Sequence, residues 1–510
     1  MIGVAGGLHW IDVLVVIAYL VIVALIGSLS GGKQNSVRDY FLGGRNIPWW
    51  AVSFAIVAAE TSTLTFISIP GLAYLTNLNF LQVTFGYLLG RIIVSFVLLP
   101  SYRKGELLTA YALLEARFGK HARSYASIVF LFTRVAADGV RLFATSIPLA
   151  LIFRTFPLFQ NFSNLQIYII SIVIIGGVTL IYTYTGGVKG IIWVDVLQMS
   201  IYLGGAFLAL GILWNKVPNW LTILPQISPE VDKLQIFNFS LSRSFADFFA
   251  KPYTLVGSLI GGTFLSMASH GTDQLIVQRL LTTRNLRDSQ KALITSGVIV
   301  IGQFALFLCV GLLLFVYYGG IKPGAGGTPF TKSDEIFPFF IIHNLPIGVK
   351  GLIIAGLLAA AMSTLAGSIS SLSSSALMDL YKPRFGKNLT PVGELRLSRL
   401  WAIGWAVILM IVAVLFIKIP QAVVEIALSI ASITYGGLLG TFLLGVLFKK
   451  VDQRSALYGF SAGIAAMLTI ILVPLLGHKA PIFYWTWYTL IGCSVTLLVG
   501  NLCSYFRHKK

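Results

Sequence analysis

Glu60, Arg91, Arg134, Asp138, Arg141 and Asp195 stand inside long apolar stretches of the sequence, with Asp273 and Glu425 nearer the ends of such stretches. An ionisable side chain in apolar surroundings is expensive, so each is a candidate for holding or steering a charged ligand. Arg91 lies about nine residues before Pro100, roughly 13 Å along a helix and too deep to reach water easily. Arg134, Asp138 and Arg141 are spaced i, i+4, i+7 and share one helix face. The competing reading is that these charges simply pair with one another, most readily Arg134 with Asp138. Glu60 and Arg141 are the better ligand-binding candidates, because a polar site needs some unpaired valence. Neutral oxygens carry a second chemistry. Ser363 and Thr364 are adjacent in the run Ala359-Ala-Ala-Met-Ser-Thr-Leu-Ala-Gly-Ser. Two hydroxyls can replace part of the water around a Na⁺ ion without adding charge, although small residues also serve close helix packing. Covalent and metal chemistry find no support. His-Glu-x-x-His, Gly-x-Ser-x-Gly and paired-Asp motifs are absent, the six histidines are scattered, and Cys309, Cys493 and Cys503 lack metal spacing. The sequence therefore predicts no enzyme and no transition metal.

The elements that position these residues follow from composition. The chain has 510 residues, 56% hydrophobic and 11% charged, with a formal net charge of +19 and a mean hydropathy of +0.85. Soluble domains carry about 25% charged residues, so the apolar surface must face lipid. Thirteen runs are long enough for membrane helices, near 10–30, 48–72, 79–100, 122–153, 165–184, 190–214, 252–274, 290–318, 349–379, 397–418, 421–448, 455–475 and 482–505. The first lacks the basic start of a signal peptide. With the N-terminus outside, 24 of the 37 Lys and Arg fall on inner segments and 10 on outer ones. This asymmetry predicts an outer N-terminus and a cytoplasmic C-terminus in a cell (plasma or inner) membrane. The excess charge is thus a topological label and needs no nucleic acid. Loops near 215–251 and 319–348 are too short for a catalytic domain, and the Gly/Pro-rich stretch 322–329 reads as a lid or mobile turn.

Two spans look interrupted. The second contains Glu60-Thr-Ser-Thr-Leu-Thr-Phe-Ile-Ser-Ile-Pro-Gly71, and in the seventh Gly261-Gly262 precede Ser266, Ser269, His270 and Gly271. Broken helices at corresponding places in two halves point to a solute- and ion-binding site, because unwound backbone frees carbonyl groups.

Ala360-Ala-Met-Ser-Thr364, continuing to Leu377-Met-Asp-Leu-Tyr381, resembles the sodium-binding helix of the sodium:solute symporter family. Tyr182-Thr-Tyr-Thr-Gly-Gly-Val-Lys-Gly-Ile-Ile-Trp-Val-Asp-Val-Leu-Gln198, Thr272-Asp-Gln-Leu-Ile-Val-Gln-Arg279 and Leu447-Phe-Lys-Lys450 are similar to further segments of it, in order, over nearly the whole chain. Val188-Lys189 and Ser455-Ala456 depart from its usual signatures. The resemblance implies an all-α polytopic membrane protein of about 13 helices with the five-plus-five inverted repeat of the leucine-transporter type. Residues 1–47 would hold an accessory helix and cytoplasmic loop, 48–214 the first repeat, 215–251 an extracellular loop, 252–448 the second repeat, and 449–510 two accessory helices and a basic tail.

Carried over by motif, the sodium site would use carbonyls of Ala58 and Thr61 with the Ala360 carbonyl and the Ser363 and Thr364 hydroxyls. A second sodium site of some members matches here only at Asp195, since its hydroxyl positions read Ala366 and Gly367. One Na⁺ is therefore expected, with Asp195, Asp138 and Arg91 forming a coupling network. The residues matching the family's sugar-binding set read Val300, Leu428, Ser266 and Ser269, which disfavours a classical monosaccharide. Glu60, Ser62, Thr65, Thr84, Arg141 and Ser266 are the expected solute contacts, with Arg141 on a carboxylate. Glu60 could add an ammonium group, as in a zwitterion. The expected activity is Na⁺-coupled symport of a small polar, carboxylate-bearing solute by a monomer or weak oligomer in the bilayer. Symport of a neutral solute such as a sugar, a Na⁺-permeable channel and a transporter-like sensor are the alternatives.

Overall fold

The computed structural model describes residues 8–104, 107–154, 159–240, 244–325, 329–386, 389–417, 423–476 and 482–509. Among them there are helices and connecting segments but no strand, only an isolated bridge between Ile47 and Thr283. The helices used below are α1 (Trp10–Ser30), α2 (Trp49–Glu60), α3 (Thr63–Leu75), α4 (Leu81–Val97), α5 (Lys120–Phe153), α6 (Asn164–Lys216), α7 (Leu255–Gly271), α8 (Gln274–Leu281), α9 (Leu286–Tyr317), α10 (Val349–Ser375), α11 (Pro391–Phe416), α12 (Val423–Leu447), α13 (Gln453–Leu476) and α14 (Tyr488–His508). Among the described residues, seven helices are long and apolar enough to cross a membrane singly, or eight when the bent pair α2 and α3 is taken as one span. At 53 residues, α6 would be roughly 80 Å long, far beyond a bilayer. It is interrupted at Gly187, whose φ of 55° and ψ of −160° lie outside helical space. A Cβ there would approach the Tyr40 carbonyl to 2.7 Å, so the turn admits only glycine.

Burial separates two kinds of helix. Along α10, almost every residue from Ile353 to Ser375 is buried, so this helix runs through the middle of the bundle. By contrast, α1 and α11 expose rows of Leu, Ile and Val, as lipid-facing helices do. The central helix is anchored by its neighbours. Its start follows Gly348, which has no capping side chain, and Asp12 of α1 takes that role, accepting the Gly348 and Gly351 amides at 2.7 and 3.0 Å. A carboxylate at a helix N-terminus satisfies orphan amides and the helix dipole together. Further along, the Tyr182 hydroxyl donates to the Met362 carbonyl at 3.1 Å. The first span thus sets the depth of the helix that carries Ser363 and Thr364.

The two expected interruptions exist, but one lies elsewhere. α2 ends at Glu60 and α3 starts at Thr63, with a bend of 66° between the helical pieces. Pro70 and Gly71 lie inside α3 and do not break it. In the seventh span the break falls at Thr272–Asp273, between α7 and α8, and not at Gly261-Gly262. Those glycines serve packing. A Cβ on Gly262 would lie 2.6 Å from the Val83 carbonyl, and one on Gly261 2.4 Å from that of Thr486.

At one end of the bundle the segment after α9 folds back over α3. The Tyr74 hydroxyl donates to the Ile321 carbonyl at 2.7 Å, and Ser333 packs on Gly71. Residues 326–328 of the Gly/Pro-rich stretch lie outside the described residues. A second strap comes from the loop before α7. Buried Lys233 donates to the Tyr74 carbonyl at 2.7 Å and lies 4.0 Å over the Phe315 ring. Burial lowers its pKa from 10.5 to about 8. The docked loop therefore releases its proton at lower pH than a loop swung free, and docking strengthens as pH rises from about 8 to 10.5. Amide-exchange protection of the loop around Lys233, corrected for intrinsic rates, is expected to increase over that window. Lys233→Met should remove the pH dependence.

Candidate functional site

Ending a helix in apolar surroundings leaves carbonyls without partners. Where α2 stops, the Thr61 amide closes on the Val57 carbonyl at 2.9 Å, and the Ala59 carbonyl accepts the Thr364 hydroxyl of α10 at 3.1 Å. That hydroxyl also reaches the Ala360 carbonyl at 3.2 Å. The Thr61 side chain is held by the Gln303 amide of α9 at 2.9 Å, and Thr63 donates to the Leu357 carbonyl at 3.0 Å. The break is therefore tied to α10 and α9 by neutral polar groups. Ser363 differs. Its hydroxyl donates to Asp195 of α6 at 2.6 Å, which fixes its proton and turns its lone pairs elsewhere. These oxygens suit a small hard cation, and metal-binding clusters of three or more His, Cys, Asp or Glu are absent among the described residues.

Beside the break lies a cavity of about 480 Å³, the size of a small-molecule site. Glu60, Ser62 and Thr65 face it from α2 and α3, Tyr87 from α4, Arg134 and Arg141 from α5, and Ser266, Ser269, His270 and Asp273 from the α7–α8 break. It reaches Asp334 and Trp485 at the end of the bundle where the straps lie. Apart from Asp334, its carboxylates and guanidiniums are arranged in neutral groups. Glu60 is paired with fully buried Arg91, which also donates to Ser296 at 2.7 Å. Asp138 is held by Arg134 Nε at 2.9 Å, Arg141 Nη1 at 3.1 Å and Ser368. Arg134 turns further to Asp273 at 3.4 Å, and Tyr435 donates to Asp273 at 2.8 Å. Arg141 is the less engaged arginine, with a side chain 26% exposed, so its remaining N–H edge faces the cavity. A second, water-sized cavity of about 10 Å³ lies among Ser62, Thr63, Asp138, Arg141 and Thr364. It puts Thr364 and Arg141 on the walls of one small space.

Several sequence-based expectations need revision. Thr84 is not on the cavity wall; it is fully buried and its hydroxyl donates to the Leu81 carbonyl at 2.7 Å. Asp195, Asp138 and Arg91 do not share one network. Each belongs to its own pair or cluster, and the partner of Asp195 is Arg279, at 3.0 Å. By spacing, Arg279 reads as a cytoplasmic loop charge, yet it is buried, because the α7–α8 break carries it back into the bundle. The Glu60 charge is already neutralised by Arg91, so it is not free to hold a cation, although its carboxylate keeps acceptor positions. The Glu425 and Leu428 side chains lie outside the described residues. Asp12 and Gln303 are interior groups that the sequence reading does not single out, whereas His270 is named there in the interrupted seventh span. A lone Gln in the run Val300-Ile-Gly-Gln-Phe is the one visible signal for Gln303.

The family model for the sodium:solute symporter family matches residues 40–463. The chain belongs to that family. Among its relatives are the sodium/sialic acid symporter NanT of Aliivibrio fischeri, 29% identical over 95% of this chain and 91% of that protein, and the sodium/sialic acid symporter SiaT of Proteus mirabilis, 28% identical over 97% and 94%. A solved substrate-bound, outward-open Na⁺-coupled sialic acid symporter superposes with a TM-score of 0.82 at 27% identity, covering 98% of each chain. Mhp1, a nucleobase-cation-symport-1 transporter solved in a closed conformation, shares the fold alone, with a TM-score of 0.55 at 13% identity. Membership makes this symporter a Na⁺-coupled membrane transporter of small solutes and not an enzyme.

Within this symporter the Asp195–Arg279 pair is buried on both sides. Removing one partner strands the other charge, whereas removing both does not. Asp195→Ala is expected to lower stability by about 3–5 kcal/mol, and Asp195→Asn combined with Arg279→Gln should be more stable than either single change. Thermal unfolding of the four proteins in one detergent checks this. Additive losses would mean the pair is not coupled.

Proposed function

We propose that this protein moves one Na⁺ together with a small carboxylate-bearing polar solute, of the sugar-acid kind carried by its sialic acid relatives. The Na⁺ would sit between the Ala58 and Thr61 carbonyls of the broken span and the Ala360 carbonyl, Ser363 hydroxyl and Thr364 hydroxyl of α10. The observation that carries the solute reading is Arg141, held by a single bond to Asp138 and otherwise turned to the cavity. A guanidinium edge in a dry site favours a carboxylate in two-point contact. Ser62, Thr65 and Ser266 would add hydroxyl contacts. The Arg91–Glu60 pair argues against a zwitterion, since the carboxylate that would attract an ammonium group already has its cation. One Na⁺ is supported by Arg279, whose guanidinium nitrogens would lie 2.7 Å from a Cβ on Gly367. A fixed cation thus stands beside Asp195 where a second ion would need to be.

The chain would span the membrane thirteen times with its N-terminus outside. Residues 48–214 and 252–448 would form the two inverted five-helix repeats, residues 215–251 an extracellular loop, and the flanking helices would be accessory, in a monomer or weak oligomer. In that orientation the cavity opens outward, beneath the straps near Asp334 and Trp485. The opposite end is closed by a ladder of matching pitch. Gln274 and Gln278 of α8 donate to Ser374 and Ser370 of α10 at 3.0 and 3.1 Å. Na⁺ bound between α2 and α10 would favour this outward state, solute would permit closure, and inward opening would require the ladder to separate. A membrane potential would add about 2.3 kcal/mol per 100 mV for each charge moved.

In proteoliposomes, Arg141→Ala is expected to lose at least about tenfold in carboxylate uptake at low solute concentration, with Na⁺ binding retained. Unchanged uptake would refute the assignment. Thr364→Ala should raise the Na⁺ concentration needed for half-maximal uptake about tenfold. Paired ²²Na⁺ and solute fluxes should give a ratio of one, and a ratio of two would overturn the single-ion reading.

A further inference from the structure

His270 is in the last turn of α7, next to the α7–α8 break, and lines the cavity together with Glu60. It is buried, with 2% of its surface exposed. Its Nδ1 lies 2.8 Å from the Ser269 hydroxyl. That hydroxyl's other acceptor, the Ser266 carbonyl, is farther away at 3.4 Å. Taking the shorter contact as the one Ser269 donates to, Nδ1 accepts and Nε2 carries the hydrogen. Nε2 has no hydrogen-bond partner. Its contact with Glu60 Oε2 is a long one, 3.5 Å. Here a buried donor and a carboxylate stand side by side on a ligand cavity in a contact too long for a good hydrogen bond. Buried polar groups are normally satisfied, so an unmade bond at this place asks for a partner from the cavity.

We propose that His270 and Glu60 together read a hydroxyl group of the solute, as a recognition point separate from Arg141, and so select hydroxylated acids over plain ones. The inference rests on the carboxylate reading of Arg141. A hydroxyl both accepts and donates. It would accept from His270 Nε2–H and donate to the Glu60 carboxylate. An ammonium group would not fit as well, because Arg91 already neutralises Glu60 and would repel a second cation. A methylene would leave Nε2 unpaired. The role is one of specificity, since a site built to bond a hydroxyl rejects the analogue lacking it far more strongly than an apolar pocket rejects an extra methyl.

The test uses the full chain in proteoliposomes under a Na⁺ gradient, with N-acetylneuraminate, D-gluconate, propionate and D-glucose as probes. Wild-type protein should take up a hydroxylated acid in preference to propionate. His270→Phe, which keeps the ring but has no donor, should raise KM for the hydroxylated acid about tenfold while leaving propionate uptake or inhibition unchanged. His270→Gln, which restores an N–H near the same place, should recover most of the loss. Retention of the Na⁺-induced thermal shift identifies variants that remain folded, and His270→Gln supplies the comparison if the Phe variant does not. Equal losses for propionate and the hydroxylated acid, or no loss for either, would overturn the proposal. So would a wild-type protein that accepts propionate and refuses both hydroxylated acids, and this would leave the carboxylate reading standing. Uptake of glucose with refusal of every acid would instead remove the carboxylate reading, and with it the proposal's preference for acids.

Discussion

The interruption between Glu60 and Ser62 is the constraint on which the rest of this structure depends. In hydrocarbon a helix cannot stop unless its carbonyls find partners inside the protein. Here the Ala59 carbonyl is met by Thr364, the Thr61 side chain by Gln303, and the turn beyond is tied through Thr63 to the Leu357 carbonyl. Each partner is neutral and sits on a helix whose depth is set elsewhere. Asp12 fixes the start of α10, and Tyr182 holds its middle. A shift of α10 by one turn would remove Thr364 from Ala59 and leave the break unsatisfied. The buried surroundings of α10 and the placement of α1 thus serve one local geometry.

Charge is handled by the same logic at a larger scale. The carboxylate–guanidinium assemblies around Glu60, Asp138 and Asp195 stand inside the bundle, and each is neutral as a unit. Neutral units avoid the several-kcal/mol cost of a lone buried ion. They also decide what the cavity can attract. Arg91 cancels Glu60 from behind, Asp138 and Asp273 together balance Arg134 and Arg141, and of those two arginines Arg141 keeps the more exposed edge. The field a solute meets is set less by the count of charged residues on the wall than by which of them retain unused hydrogen-bonding directions.

Much of this was legible in the sequence, and the misses share a cause. Apolar runs give an all-helical membrane protein, because lipid imposes a length and a composition on every span. The hydroxyl pair Ser363–Thr364 and the polar run after Glu60 stood out because oxygens in an apolar stretch are rare. What could not be read is which charge meets which. Arg279 follows a break whose position depends on the Thr272 and Asp273 backbone, so spacing put it in a loop while folding put it on Asp195. Gly261-Gly262 looked like a hinge because glycine is ambiguous between bending and close approach, and only the facing Val83 and Thr486 carbonyls decide the matter. Thr84 turned out to bond its own helix, the commonest fate of a hydroxyl in an apolar helix.

The distance between the ion and solute sites bears most directly on coupling. Thr364, a proposed Na⁺ ligand, and Arg141, a proposed carboxylate ligand, border one water-sized space with Ser62 and Thr63 between them. Thr63 and Thr145 lie 3.3 Å apart, joining the broken span to α5, and Asp138 joins Arg141 to Ser368, one turn along α10 from Thr364. A cation that draws Thr364 toward α2 acts on the helix to which Asp138 and Arg141 are tied. Linkage requires that a solute held by Arg141 then strengthen Na⁺ binding by the same factor. No long relay would be needed for that reciprocity, because α10 would offer the Thr364 hydroxyl to the ion and, one turn away, places the Ser368 hydroxyl on the Asp138 carboxylate that holds Arg141.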